Sequence, residues 1–460
     1  MIRNRSLVVT IWVALALFGF YANANINSLL TTSITVPGSQ SARADELIKS
    51  AFGENTEGAF IVFYEYDKKS TKAEVEELKA KVIKAAEAIP TAHVVQNRAL
   101  NGLLFANIQT TYDLQRAADF TSKLRASLDE AGLSSAKVTG PPAIKNDVSP
   151  VLQSDLQRGQ LVAIIVALIF LFITLRSIWS MLIPIIVAIT TISTSIGAIY
   201  LLAHKMLMVL YIPNIVELIG LGLAIDYSLL MVNRFREELH HGHSVEDSVV
   251  TTVKTAGRTV FFSGITVMIT LSSLIFFPQM FLKSFGYAGV AVVAMAIIGA
   301  LIPLPAILAL LGNKIDKLVV HRAALIPKEE GRWAKLARFV MRRPIPVVLI
   351  SLAILSILAY PIKGTTFSQV DYRVMPANDK VAIASQFVTD NFPGQAANPI
   401  EIIIKGGANR QDEIATYLGE VAKVPGIISV GAPQIIGNDV RVGAVHSMGV
   451  RSPEVTKVIK

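Results

Sequence analysis

Seven apolar runs constrain this chain more than any other feature: they fall near 6–24, 160–176, 180–203, 208–232, 259–278, 284–312 and 345–362. Each is about long enough to cross the roughly 30 Å hydrocarbon layer of a bilayer as a helix. With no water in that layer, such a run must satisfy its own backbone N–H and C=O groups, which a helix does. Composition agrees, since 52% of the residues are hydrophobic and only 17% are charged, against about 25% charged in a soluble globular chain. The run at 6–24 follows MIRNR, as a signal peptide would. YANANINSL offers a poor cleavage site, however, so the run is read as a retained helix. There are no cysteines, which excludes disulfide frameworks and thiolate metal sites.

The net charge of +9 sits beside the apolar runs, so it points to membrane orientation and not to nucleic acid. Arg3 and Arg5 precede the first run, Arg176 lies between the second and third, and Arg234, Arg236, Lys254 and Arg258 lie between the fourth and fifth. A further group, from Lys314 to Arg343, separates the sixth and seventh, whereas the alternate connections hold little beyond Lys205 and Lys283. The amino terminus is therefore expected inside, with the segments 25–158 and 363–460 outside. The expected layout is a first membrane helix (1–29), an exterior domain (30–158), membrane helices two to six (159–313), a cytoplasmic linker (314–344), a seventh helix (345–363) and a partial second exterior domain (364–460). Between helices four and five, the segment 241–257 reads as an amphipathic helix on the inner membrane surface. Ser244 and Asp247 form its capping-box-like start, and Val245, Val249, Val253 and Ala256 its apolar stripe.

The first exterior segment carries the strand-like runs GAFIVFYEYD, TAHVVQN, LLFANIQT and SAKVTG, with helical stretches after the first and third. That β-α-β-β-α-β order is the order of a ferredoxin-like α+β fold. Part of it recurs. Val8-Val9 and Val347-Val348 each precede a proline, Pro37 and Pro376, by 29 positions, and both prolines open a polar segment ahead of a strand. PIEIIIKGG, a helix near 409–422, GIISVG and DVRVGAVH then continue the second copy, so the chain reads as an internal repeat. The second copy is expected to be truncated, with its remaining domain and helices 8–12 supplied by further sequence or a partner chain.

Within the fourth run, the stretch LGLAIDYSLLMVNRF contains one acid, Asp226, followed by Tyr227. An ionised carboxylate in a membrane helix costs about 2.5–3.5 kcal/mol on insertion scales, so such residues usually face the bundle interior and mark proton or ion pathways. A static hydrogen bond or salt bridge is the alternative use. Tyr227 supplies a hydroxyl that donates or accepts. Gly222 lies one turn from Asp226, and Gly220, Ala224 and Ser228 form a row of small residues that lets helices approach closely. Glu217, about 13 Å along the same helix on the opposite face, belongs either to an accessory path or to interfacial water. Ser263, Thr266, Thr270 and Ser273 recur at helical spacing on the fifth run; facing Asp226, they would line a proton path with Ser263 as its preferred member. Each could equally bond its own helix. His240, His241 and His243 are read as solvated loop residues, so no metal site is expected.

IGLGLAIDYSLLMVNRFREEL (219–239) and TAGRTVFFSG (255–264), in this order of helices and exterior domains, resemble the MMPL family of the RND superfamily, bacterial exporters. The resemblance implies an RND-type helical bundle and a proton relay of Asp226, Tyr227 and Ser263, completed by a second Asp-Tyr pair on a tenth helix. It also implies export of lipids, other amphipathic compounds or drugs from a bacterial cell membrane. No phosphate-binding G-x-x-x-x-G-K-[ST] loop, nucleophile elbow or hydrolase motif appears, so the energy source is expected to be a proton gradient, without cofactor and without enzymatic chemistry. The competing class is a non-transporting receptor or an assembly or protein-export accessory factor on the same architecture. The bilayer is the expected partner in both classes, and both are compatible with a homo-oligomer.

Overall fold

The computed structural model describes residues 4–31, 36, 38–51, 53–100, 102–316, 332–364, 379, 382–384, 386–387, 400–447 and 458. Pro37, Pro376 and most of the second polar segment lie outside them. In chain order the elements begin with α1 (Arg5–Asn25), β1 (Leu30–Thr31), α2 (Gln40–Ala51), β2 (Phe60–Glu65), α3 (Lys72–Ala86), β3 (His93–Leu100), β4 (Leu103–Gln109), α4 (Leu114–Ala118), α5 (Thr121–Glu130) and β5 (Lys137–Thr139). Then come α6 (Pro141–Leu175), α7 (Ile178–Ala203), β6 (Met208–Val209), α8 (Ile212–His240), α9 (Val245–Thr252), α10 (Arg258–Ser272), α11 (Met280–Leu301), α12 (Pro303–Leu311), α13 (Arg332–Arg342) and α14 (Pro344–Ala359). The last are β7 (Ile400–Ile404), α15 (Gln411–Val421), β8 (Ile427–Val430), β9 (Gln434–Ile436) and β10 (Asp439–His446). They divide into a helical unit, Met1–Pro37 with Gly159–Lys363, and an α/β unit, Gly38–Arg158 with Gly364–Lys460.

Among the described residues of the chain, seven helical stretches are long and apolar enough to cross a membrane, and all seven overlap the apolar runs. The helical unit is built around α7, which packs on α1, α8 and α11, while α11 also packs on α8, α10 and α12. Val187, Val216, Val232, Phe235, Val292 and Ala296 are buried at its centre. Two features set the helix ends. Pro213 sits in the first turn of α8, where its missing N–H has no intrahelical partner to lose. Pro303, which cannot donate, breaks the sixth apolar run into α11 and α12. The second run extends further than its apolar part, because α6 starts at Pro141-Pro142, two residues that suit a helix start.

The approach of α1 to α7 is the closest in the bundle that glycine permits. A Cβ added to Gly19 would come within 1.9 Å of the Ser193 carbonyl oxygen, and one added to Gly197 within 3.3 Å of the Gly19 Cα. Polar bonds lock the pair: Ser193 Oγ donates to the Ala16 carbonyl at 2.7 Å, and Trp12 Nε1 to Thr190 Oγ1 at 3.1 Å. A two-residue parallel pairing, Leu30 with Met208 and Thr31 with Val209, joins the end of α1 to the α7–α8 connection.

In the α/β unit the first sheet has the antiparallel order β3-β4-β2-β5. Phe60, Val62, Leu104, Ala106 and Ile108 face α3 and α5 through Val82, Ala85, Leu124 and Leu128. A capping box starts α3: Thr71 Oγ1 accepts from the Glu74 N–H, and the Glu74 carboxylate accepts from the Thr71 N–H. The helical stretch after β4 splits at Asp119 into α4 and α5. A second sheet has the order β7-β10-β8 with β9 also on β10, and Ile414 and Leu418 of α15 cover Val440 and Val442. β9, absent from the sequence reading, joins β10 through Gly437 (φ 61°) and Asn438, a pair suited to a tight hairpin. The two sheets exchange elements. α2, which precedes β2, lies against β7. Phe387, which precedes β7, sits against Phe63 of β2 with ring centroids 6.1 Å apart, and Lys137 Nζ lies 3.9 Å from its ring centre.

Candidate functional site

α8 presents two opposed faces, because successive residues turn by about 100°. Gly220, Ala224, Tyr227, Ser228, Met231, Val232, Phe235 and Arg236 are buried against the bundle. The other face carries Leu218, Gly222, Asp226 and Leu230, all exposed. A Cβ on Gly220 would meet Ile192 of α7 at 2.9 Å and Val292 of α11 at 3.0 Å, so the small residue there serves helix packing. A Cβ on Gly222 would meet nothing within 4 Å, so this glycine opens the Asp226 face. Among the described residues the Asp226 carboxylate has no hydrogen-bond or ion-pair partner.

Tyr227 points away from that face. The residue is 3% exposed, and its hydroxyl, buried and without a partner among the described residues, lies 3.4 Å from where a Gly264 Cβ would stand. Ser263 is exposed on α10 beside Gly264. Thr266 donates to the Phe262 carbonyl at 2.9 Å, Thr270 to Thr266 at 3.0 Å and Ser273 to Thr270 at 2.7 Å, so those three hydroxyls are satisfied within their own helix. Glu217 is half-buried and accepts from Gln160 Nε2 of α6 at 3.2 Å. No direct bond joins Asp226 to Tyr227 or Ser263 among the described residues.

At the far end of α8 stands a charged cluster that the sequence reading assigned to interface and solvent. Arg236 is 5% exposed; its Nε donates to Asp316 Oδ1 at 2.8 Å and its Nη1 to the Leu175 carbonyl at 2.7 Å. His240 Nε2 donates to the other Asp316 oxygen at 2.7 Å. Ser177 and Ser180 both donate to the Ile315 carbonyl, at 2.8 and 3.1 Å. Glu238, also buried, pairs with Arg234 at 2.5 Å and His243 at 2.8 Å. The legible signal was periodicity: Arg236 continues the buried row of Val232 and Ser228 at four-residue spacing, which places it inside. α9 departs from expectation likewise. Val249 and Ala256 are buried in the helical unit, so the stripe faces protein and not lipid. α9 runs on to α10 through a π-helical turn, Val253–Gly257. Among the described residues no group of three metal-ligating side chains converges.

The α/β unit has its own buried ion network. Arg441 of β10 bonds Glu401 of β7 at 2.8 Å and Glu54, ahead of β2, at 2.5 Å, and His93 reaches Glu54 at 3.4 Å. Burial opposes the guanidinium charge, but the hydrogen bonds and charges of Glu401 and Glu54 outweigh it and raise the Arg441 pKa above the ordinary arginine value. Arg441→Met strands Glu54, which is 5% exposed, and should lower unfolding stability by about 3 kcal/mol. Adding Glu54→Gln should restore part of that loss in thermal unfolding; an unchanged melting temperature in the single variant would contradict the network.

Seven apolar helical stretches among the described residues define an integral membrane protein of several spans. Residues 33–347 match the MMPL family, and the chain belongs to that family. It is 32% identical over 297 residues, 64% of this chain and 41% of the relative, to a putative membrane protein of Streptomyces coelicolor. It is 26% identical to the trehalose monomycolate exporter MmpL3 of Mycobacterium tuberculosis, over 88% of this chain and 47% of the relative. It is 24% identical to the mycolic acid-containing lipids exporter MmpL11 of Mycolicibacterium smegmatis, over 95% of this chain and 48% of the relative. The chain thus spans less than half the length of these relatives.

Proposed function

We propose that this chain carries the proton-coupling helix and exterior domains of a gradient-driven exporter of lipids or similar amphipathic compounds in a bacterial cell membrane. One observation carries the reading: Asp226, a carboxylate without a partner among the described residues, stands on an open face of a membrane helix. Ionised and unpaired in hydrocarbon, it costs about 2.5–3.5 kcal/mol, so each change of protonation alters what that face can pack against. A difference of this kind between two states shifts a conformational equilibrium. Ser263, exposed on α10, and Tyr227, the next residue of α8, would pass the proton through intervening water. Gly222 leaves room for a second relay helix. The βαββαβ order and β3-β4-β2-β5 arrangement support ferredoxin-like porter domains, read as exterior from the distribution of basic residues. The lipid class rests on the names of two relatives, the trehalose monomycolate exporter MmpL3 and the mycolic acid-containing lipids exporter MmpL11.

The test is proton-gradient-dependent efflux with Asp226→Asn and Tyr227→Phe at matched expression. Asn keeps the shape and removes the exchangeable proton, so efflux should fall at least a hundredfold; Tyr227→Phe should fall less. Undiminished efflux from Asp226→Asn would end the relay reading.

A further inference from the structure

α13 is the element of the helical unit whose chemistry the export reading leaves unused. Its sequence, RWAKLARFVMR, contains four basic residues and no acid. At 100° per residue, Lys335, Arg338 and Arg342 fall within an arc of about 60°, and Leu336, Ala337, Phe339, Val340 and Met341 occupy the other side. In a packed protein that apolar side would face a core, as Val249 and Ala256 near α9 do. Here Leu336 is 50% exposed, Phe339 53% and Met341 78%. Among the described residues no carboxylate pairs with Lys335, Arg338 or Arg342, and Arg338 bonds only the Ala334 carbonyl of its own helix.

The neighbouring sequence fixes where this face must lie. Arg343 and then the apolar span α14 follow α13 directly, so the last turn of α13 is held at a membrane boundary. The concentration of lysine and arginine on this connection makes that boundary the inner one. A short helix with a basic face, a broad apolar face and an aromatic residue beds in the interface with its apolar side about 5–10 Å deep.

We propose that α13 lies in the inner-leaflet headgroup layer and binds anionic phospholipid through Lys335, Arg338 and Arg342, with Leu336, Phe339 and Met341 inserted beneath. The occupant is lipid and not protein because the charge on the described helix is of one sign, unpaired among the described residues, and continuous with a membrane span. The proposal rests on membrane insertion, not on export, so its outcome is separate from the efflux test.

The chain has no cysteine, so a single Met341→Cys accepts a nitroxide spin label cleanly. The whole chain is placed in nanodiscs of phosphatidylcholine alone, or of phosphatidylcholine with phosphatidylglycerol. Collisions with oxygen and with a water-soluble nickel chelate are then measured. With phosphatidylglycerol the label should be shielded from nickel and open to oxygen. Removing charge should lower the insertion equilibrium by about fivefold per basic residue: by that factor for Arg338→Gln, and for Lys335→Gln with Arg338→Gln and Arg342→Gln to the level seen in phosphatidylcholine. A label on Leu352→Cys in α14 reports that each variant is still inserted. Water access at Met341→Cys in both lipids would overturn the proposal. So would equal shielding in both that ignores the charge variants, the result expected for an apolar or protein contact.

Discussion

Gly19→Ala should cost this protein its folded helical unit more surely than any other exchange of a single methyl group. The new Cβ would lie 1.9 Å from the Ser193 carbonyl oxygen and 2.3 Å from its carbon. Both atoms are backbone, so no rotamer change relieves the clash; α1 and α7 must separate by more than 1 Å. Separation stretches the Ser193–Ala16 and Trp12–Thr190 hydrogen bonds, leaving buried Ser193 without its acceptor. Overpacking usually costs about 1–3 kcal/mol, and with backbone on both sides the expected loss is at or above the top of that range. Gly222→Ala is the control, since its Cβ meets nothing within 4 Å and alanine favours a helix by about 1 kcal/mol over glycine. Size-exclusion profiles and thermal unfolding in detergent should show Gly19→Ala aggregated or strongly destabilised, with Gly222→Ala unchanged. Equal behaviour of the two would refute the α1–α7 packing.

That contrast shows what sequence can and cannot say. Gly19, Gly220 and Gly222 are all small residues in apolar runs, and a small residue permits close packing without naming the neighbour. The spans and the strands of the first sheet were legible because burial repeats with the period of the element: Phe60, Val62 and Leu104, Ala106, Ile108 alternate, and Val82 and Ala86 recur on α3. Asp226 was legible as an anomaly, an acid in hydrocarbon. Its orientation against Tyr227 was not, since adjacency in sequence puts two side chains about 100° apart on a helix. Asp316 was hidden for another reason. It lies past the glycine end of α12, among basic residues, and only folding brings it to Arg236, 80 positions away. The exchange of α2 and Phe387 between the two sheets is of the same kind: a long-range pairing with no local pattern.

The cluster around Asp316 yields the other large effect. Asp316→Ala removes the carboxylate from a 5%-exposed guanidinium and leaves Arg236 with the Leu175 carbonyl alone. Breaking a buried pair from one side costs about 3–5 kcal/mol; Asp316 and His240 reach solvent, so about 3 kcal/mol is expected here. Replacing both charges, Arg236→Met with Asp316→Ala, should recover most of the loss, because the desolvation of the guanidinium disappears together with its partner. The double-mutant cycle would then show a coupling well beyond the few tenths of a kcal/mol of independent sites. Additive losses would mean that the two charges do not depend on one another. The coupling matters to function through α8. Arg236 stands ten residues, or about 15 Å, beyond Asp226 on one continuous helix. Its bonds fasten that helix to the end of α6 and to the segment after α12. If protonation at Asp226 moves α8, this fastening either travels with the helix or opens. Efflux measured in the double variant separates the two: retained coupling to the gradient means the cluster only holds the fold, and its loss means that α8 must be anchored here for the proton to do work.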